Sequence, residues 1–127
     1  MNEKRSVLPG ALGTFAPKLV ELTDEVLFGD VWAREPLGRR ERSLITVAAL
    51  VALNRPEQLR FHLGLAIRNG LTQEELVEAL THLAFYAGWP LAINALLTAQ
   101  ELLTPAEGER KRRDWPRRPG STWGRAP

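Results

Sequence analysis

The sequence predicts an all-α fold, on three observations. No stretch of the 127 residues alternates apolar and polar side chains as a half-buried strand does, whereas several repeat apolar residues at spacings of three and four. Two segments, Asn54-Arg55-Pro56-Glu57 and Thr72-Gln73-Glu74-Glu75, open with a capping residue and carry a glutamate three residues on, the elements of a capping box. One run, Leu44–Leu53, reads LITVAALVAL and is apolar at every position except Thr46. A surface helix would show a polar side, so this run is expected to be buried on most of its circumference. It falls well short of the ~20 apolar residues that span a bilayer.

Taken in order, residues 1–14 hold Pro9, Gly10 and Gly13 and read as an irregular lead-in. From Phe15 to about Phe28, Leu19, Leu22, Val26 and Leu27 fit helical spacing until Gly29-Asp30 interrupts it. Val31-Trp32-Ala33 follows, and Arg34–Gly38 forms a loop around Pro36. The apolar helix runs from about Arg40 to Leu53. The next starts on the Asn54 cap with Pro56 in its first turn, and Gly70 ends it. Thr72 then caps a helix carrying Leu76, Val77, Leu80, Leu83 and Ala84. Gly88-Trp89-Pro90 closes that helix and opens the last, whose Ala92, Ala95 and Ala99 suit close packing until Thr104-Pro105 stops it. Residues 15–104 thus form the expected helical domain.

Composition narrows the function classes. Hydrophobic residues make up 44% of the chain, enough for one core. A chain this small buries only about two-thirds of its surface, so self-association would add burial. The absence of cysteine excludes disulfides, thiol nucleophiles and thiolate metal sites, and it fits a cytoplasmic setting. MNEKRSVLPG has no apolar run behind its basic residues, so no secretory signal is expected. Residues 104–127 hold seven basic and three acidic side chains, a net of +4. The whole chain carries +2, which leaves residues 1–103 at −2. The basic character therefore belongs to a tail over 105–127, and the body gives no support for nucleic-acid binding. On composition the tail reads as disordered; the alternatives are docking on a neighbouring subunit through Trp115 and Trp123, or nucleic-acid or anionic-surface binding by Arg110–Arg113.

Candidate chemistry centres on the two histidines. His62 shares a helix side with Leu59 and Ala66, so it is either a satisfied core histidine or a partly buried general acid. His82 lies four residues after Glu78, in reach of a carboxylate–imidazole bond that is either a surface pair or part of a site. Neither has the spacing that puts two metal ligands on one helix face, and no metal is expected. No phosphate loop, nucleophile elbow or dinucleotide fingerprint occurs. Arg40, Glu41 and Arg42 are either solvated charges or, in the case of Arg42 beside the apolar run, a fork able to hold a carboxylate. Trp32, Phe61, Tyr86 and Trp89 read first as packing residues.

Four strings carry a resemblance: Phe28-Gly29-Asp30-Val31-Trp32, Arg42 through Leu50, Phe61-His62-Leu63 with Asn69-Gly70, and Thr81-His82-Leu83-Ala84-Phe85-Tyr86-Ala87-Gly88-Trp89-Pro90. Together they resemble the carboxymuconolactone decarboxylase family over about residues 25–103. The resemblance implies an AhpD-like all-α fold with orthogonal and antiparallel helix packing, assembled as a trimer or hexamer. The redox branch of that fold carries Cys-x-x-Cys-x-x-x-His. Counting back from His62, its cysteine positions hold Arg55 and Gln58 here, so disulfide exchange, and with it peroxidase activity, is chemically unavailable.

What remains resembles the decarboxylase branch. The implied reaction converts 4-carboxymuconolactone to the 3-oxoadipate enol-lactone in protocatechuate catabolism. The ring C=C and lactone carbonyl accept the electron pair when CO₂ leaves, so no cofactor is expected. In that reading His62 donates the proton, Arg42 holds a substrate carboxylate and Glu41 orients His62. His82 forms a polar wall or a subunit contact, and Trp32 and Tyr86 line the cavity. The expected partners are a small carboxylated lactone and further copies of the chain, with neither nucleic acid nor membrane. The alternatives are decarboxylation or isomerisation of a different ring-lactone or cyclic acid, or a non-catalytic oligomeric binding protein on the same fold.

Overall fold

The computed structural model of the chain describes residue 6 and residues 8–104. The tail over 105–127, with Trp115, Trp123 and Arg110–Arg113, lies outside the described residues. Among those described, all regular structure is helical: α1 (Gly10–Phe15), α2 (Pro17–Glu21), α3 (Arg39–Ala52), α4 (Pro56–Arg68), α5 (Gln73–Tyr86) and α6 (Trp89–Leu103), with a π-helical stretch over Leu22–Phe28 and a 3₁₀ turn over Val31–Ala33. The chain divides into two compact units between Arg42 and Ser43, inside α3.

In the first unit, the irregular lead-in expected over 1–14 is helical from Gly10 onward. The helix expected from Phe15 begins instead at Pro17, because Ala16 is held at φ −136°, ψ 65°, outside the helical region. A residue before proline is pushed out of that region by the pyrrolidine ring. α2 runs straight into the π-helical stretch, which ends at Gly29. A Cβ there would lie 2.7 Å from the Glu25 carbonyl oxygen, so only glycine lets the chain close this wide turn. Trp32 is buried and stacks on Phe28, with ring centroids 5.5 Å apart.

The second unit holds the core. α3 buries only the stripe Ser43, Val47 and Val51. Ile45 is 57% exposed and Leu53 59%, so the expected burial of this helix on most of its circumference is not what a single chain provides. An all-apolar run shows that a helix has no polar side, but not that a neighbour covers every side.

Asn54 also departs from expectation. It adopts φ 59° and ends α3, while Arg55 takes the N-cap position of α4 with no side-chain cap bond. The Arg55 N–H donates to the Leu50 carbonyl at 2.9 Å and the Asn54 N–H to the Val51 carbonyl at 3.1 Å, the paired bonds of a Schellman stop. Asparagine serves here because it tolerates the left-handed region better than other non-glycine residues. The same pair of bonds ends α4 at Gly70, through Leu71 to Ala66 and Gly70 to Ile67, as expected.

α4 buries Leu59, Leu63 and Ala66. The Asn69 side-chain amide after it donates at 2.9 Å to the hydroxyl of Ser43, which is wholly buried on α3. The Thr72 box forms as expected: Thr72 Oγ1 accepts from the Glu75 N–H and Glu75 Oε1 from the Thr72 N–H, both at 3.0 Å. α5 and α4 both pack on α6. Buried Ala92, Ala95 and Ala99 let that close approach happen, with Leu76 and Leu80 fully enclosed.

Candidate active site

His62 sits one turn after the buried Leu59 and beside the fully buried Leu63, at the margin of the core-facing stripe of α4. That position half-buries the ring and shuts its Nδ1 away from solvent. The Phe61 ring meets it edge to face at 5.0 Å. Burial strips water from the imidazolium and pushes the His62 pKa below its ordinary value of 6.5. The ring is therefore neutral at pH 7. A charge brought close by an anionic ligand raises its proton affinity again, which is the behaviour of a group that picks up and delivers a proton only when occupied.

The two charged residues predicted at the α3 start are engaged locally. Arg42 donates from Nε to the Leu37 carbonyl at 2.9 Å and from Nη2 to the Arg34 carbonyl at 3.3 Å, bracing the Arg34–Gly38 loop against its own helix. Glu41 lies 3.4 Å from Arg40 Nη1. Its Oε1 also folds back over Gly38, where a Cβ would lie 2.8 Å away. An acidic side chain in the first turn of α3 is favourable for the helix dipole. Trp32 contributes to packing with Phe28 in the first unit.

On α5 the structure brings His82 and Tyr86 together, stacked at 4.9 Å and 28° between ring planes. His82 is exposed and Tyr86 is 78% exposed. Among the described residues His82 makes this ring contact rather than the expected hydrogen bond with Glu78. Phe85 meets Trp89 edge to face at 5.1 Å, so an aromatic stripe runs out along one side of α5 and onto α6.

None of the six predicted residues lines the crevice that opens between the α3–α4 turn and α6. Its walls include Asn54, Arg55, Asn94 and Thr98, over Leu59 and Leu91, and it offers about 30 Å³. Sequence reasoning gives none of these four residues a binding role: Asn54 reads as helix punctuation, and Arg55 as part of the capping segment and the occupant of a redox-branch cysteine position. Asn94 and Thr98 did carry a signal: two polar residues four apart on an otherwise apolar helix share one side. Among the described residues no group of three or more His, Cys, Asp or Glu could hold a metal ion, and no helix is long and apolar enough to cross a membrane.

Residues 17–101 match the sequence model of the carboxymuconolactone decarboxylase family. Over 75 residues the chain is 44% identical to 4-carboxymuconolactone decarboxylase of Acinetobacter baylyi, covering 59% of this chain and 56% of that protein. It is 37% identical over 94 residues to nitrosuccinic acid decarboxylase of Metarhizium robertsii, covering 72% of this chain and 66% of that one. An uncharacterized 15.0 kDa protein of Paracoccus denitrificans is 32% identical over 88 residues, or 67% of this chain and 65% of the relative. The matches thus span between 56% and 66% of these relatives' lengths.

Proposed function

This chain belongs to the carboxymuconolactone decarboxylase family, and from that premise we propose that it is a carboxy-lyase acting on 4-carboxymuconolactone in protocatechuate catabolism. The observation that carries the proposal is the 44% identity to the Acinetobacter decarboxylase, and the half-buried His62 supports it with a proton donor suited to the chemistry. In the reaction the bond between the departing carboxylate and the ring carbon breaks. Its electron pair moves through the ring C=C onto the lactone carbonyl oxygen, and CO₂ leaves. A proton then adds to the ring carbon next to the carbonyl, giving the enol-lactone. Two substrate carboxylates raise the His62 proton affinity on binding, so the imidazolium forms where it is consumed and is refilled from solvent. Arg42 is assigned to a substrate carboxylate, and Glu41 keeps the orienting role that the family resemblance implies. Trp32, His82 and Tyr86 are assigned to the cavity wall.

The nitrosuccinic acid relative favours a broader second reading. Nitrosuccinic acid and 4-carboxymuconolactone share a plan: one carboxylate on a carbon joined to an electron acceptor, and a second carboxylate one methylene away. The acceptor is a nitro group in one and an unsaturated lactone in the other. Either lets the substrate store its own electron pair, so the protein has to bind, orient and protonate. The apolar side chains left exposed on α3, just after it and on α5, Ile45, Leu53, Phe85 and Tyr86, support assembly of several copies.

The purified protein, assayed with EDTA present, is expected to release CO₂ and bleach the absorbance of 4-carboxymuconolactone. CO₂ from nitrosuccinate alone would shift the assignment to the second reading. Silence with both, together with a bound ring acid, would leave a binding protein.

A further inference from the structure

We infer that the crevice between the α3–α4 turn and α6 is a subsite for a carboxylate, with Arg55 as its principal residue. It rests on the proposed decarboxylation, in which it holds the carboxylate arm that the reaction retains. Arg55 Nη1 donates to the Leu53 carbonyl at 2.8 Å and to the Asn54 carbonyl at 3.3 Å. Those two bonds fix the guanidinium across the end of α3, and among the described residues Nε and Nη2 stay available. A guanidinium held this way presents its other edge as a planar fork, the geometry that matches a carboxylate.

The rest of the lining agrees. The Asn54 and Asn94 side-chain amides supply further donors, and no carboxylate lines the crevice to compete. The Thr98 hydroxyl donates to the Asn94 carbonyl at 3.1 Å, so it helps to shape the wall and does not donate into the space. Asn54 reaches the rim only because its left-handed backbone ends α3 there. The ≈30 Å³ on offer exceeds the ~10–15 Å³ that one water needs, enough for the two oxygens of a carboxylate and too little for the lactone ring. The ring therefore stays outside.

Position ties the crevice to the chemistry. Arg55 is the N-cap residue of α4 and His62 lies seven residues on, past Leu59, or about 10 Å along the axis. A ring and its carboxylate arm, each held by one hydrogen bond of ~2.9 Å, cover about that distance.

The test uses sodium acetate as the probe, titrated into the full chain and followed by the side-chain amide signals of Asn54 and Asn94, with sodium chloride at matched ionic strength as control. Saturable shifts with acetate alone, abolished in Arg55→Gln and partly restored in Arg55→Lys, are expected. Equal shifts with chloride, or shifts unchanged in Arg55→Gln, would overturn the site. Kinetically, Arg55→Gln should raise KM for 4-carboxymuconolactone about 10- to 100-fold with kcat within about threefold. An ester of the carboxymethyl arm should show the same KM with both proteins, and a KM gap persisting with the ester would count against the assignment. Asn94→Ala, which leaves the α3 stop untouched, should raise KM in the same direction, and an unchanged KM counts against the site. A silent lactone assay beside a positive acetate titration would remove the reaction while supporting the carboxylate site.

Discussion

In the first unit Phe15, Leu19, Leu22, Val26 and Leu27 all stand in solvent, and among its described residues only Trp32 is buried; in the second, Val47, Leu63, Leu76 and Leu80 are completely enclosed. Both units carry apolar residues at helical spacing, so pattern does not separate them. The second has α6 as a common partner for α4 and α5, lined by alanines small enough for close approach. The first has short helices interrupted at Ala16 and at the π-helical stretch, which cannot present one long straight side. The contrast teaches that the second unit carries the stability of a single chain, while the apolar side of the first is available to bind something else.

The comparison is sharpened most by catalysis, since the proton donor is assigned to α4 in the second unit. His62→Gln should lower kcat about 10²- to 10⁴-fold while thermal unfolding stays cooperative; full activity would move the proton donor elsewhere. Next comes the core itself. Leu63→Ala should cost about 2–5 kcal/mol in denaturant unfolding, against less than ~0.5 kcal/mol for Leu19→Ser in the first unit. Similar losses at both positions would erase the distinction between the units. In sedimentation, Leu19→Ser is expected to weaken assembly instead.

A smaller effect follows from the buried Ser43–Asn69 bond. Asn69→Ala leaves a fully buried hydroxyl without its donor and should cost about 1–3 kcal/mol, with Ser43→Ala/Asn69→Ala doubly substituted protein recovering part of it. Thr72→Ala removes one bond of the capping box and should cost about 1 kcal/mol.

The smallest effect is the pH dependence contributed by His62. Its folded pKa lies below the 6.5 of the unfolded chain. Between those values the unfolded state binds more protons, so this contribution is complete above 6.5 and is lost as pH falls through the depressed value. Measured by unfolding midpoints from pH 8 to pH 5, the parent should lose stability relative to His62→Gln as the pH falls; a difference independent of pH would contradict the shift. In the enzyme, kcat should depend on a higher apparent pKa than kcat/KM, since bound carboxylates raise the proton affinity that burial lowers in the free protein. A kcat profile shifted the other way would contradict the assignment.

Much of this molecule was legible along the chain. The Thr72–Glu75 box, the Gly70 and Gly88 boundaries and the alanine side of α6 depend on residues a few positions apart, and helix geometry converts such spacing directly into contacts. The same rule put His62 on the helix side of Leu59 and Ala66. Asn54 was read as opening a helix because asparagine both caps N-termini and tolerates the left-handed region; the bonds back to Leu50 and Val51 decided for the second use. The sequence alone therefore determined where helices lie and which of their sides are apolar, since both follow from a local period. Only tertiary structure decided which sides are covered, that Arg42 braces a loop, and that Asn54, Arg55, Asn94 and Thr98 meet around one crevice. Those outcomes join residues up to 44 positions apart, a separation that no helical period can encode.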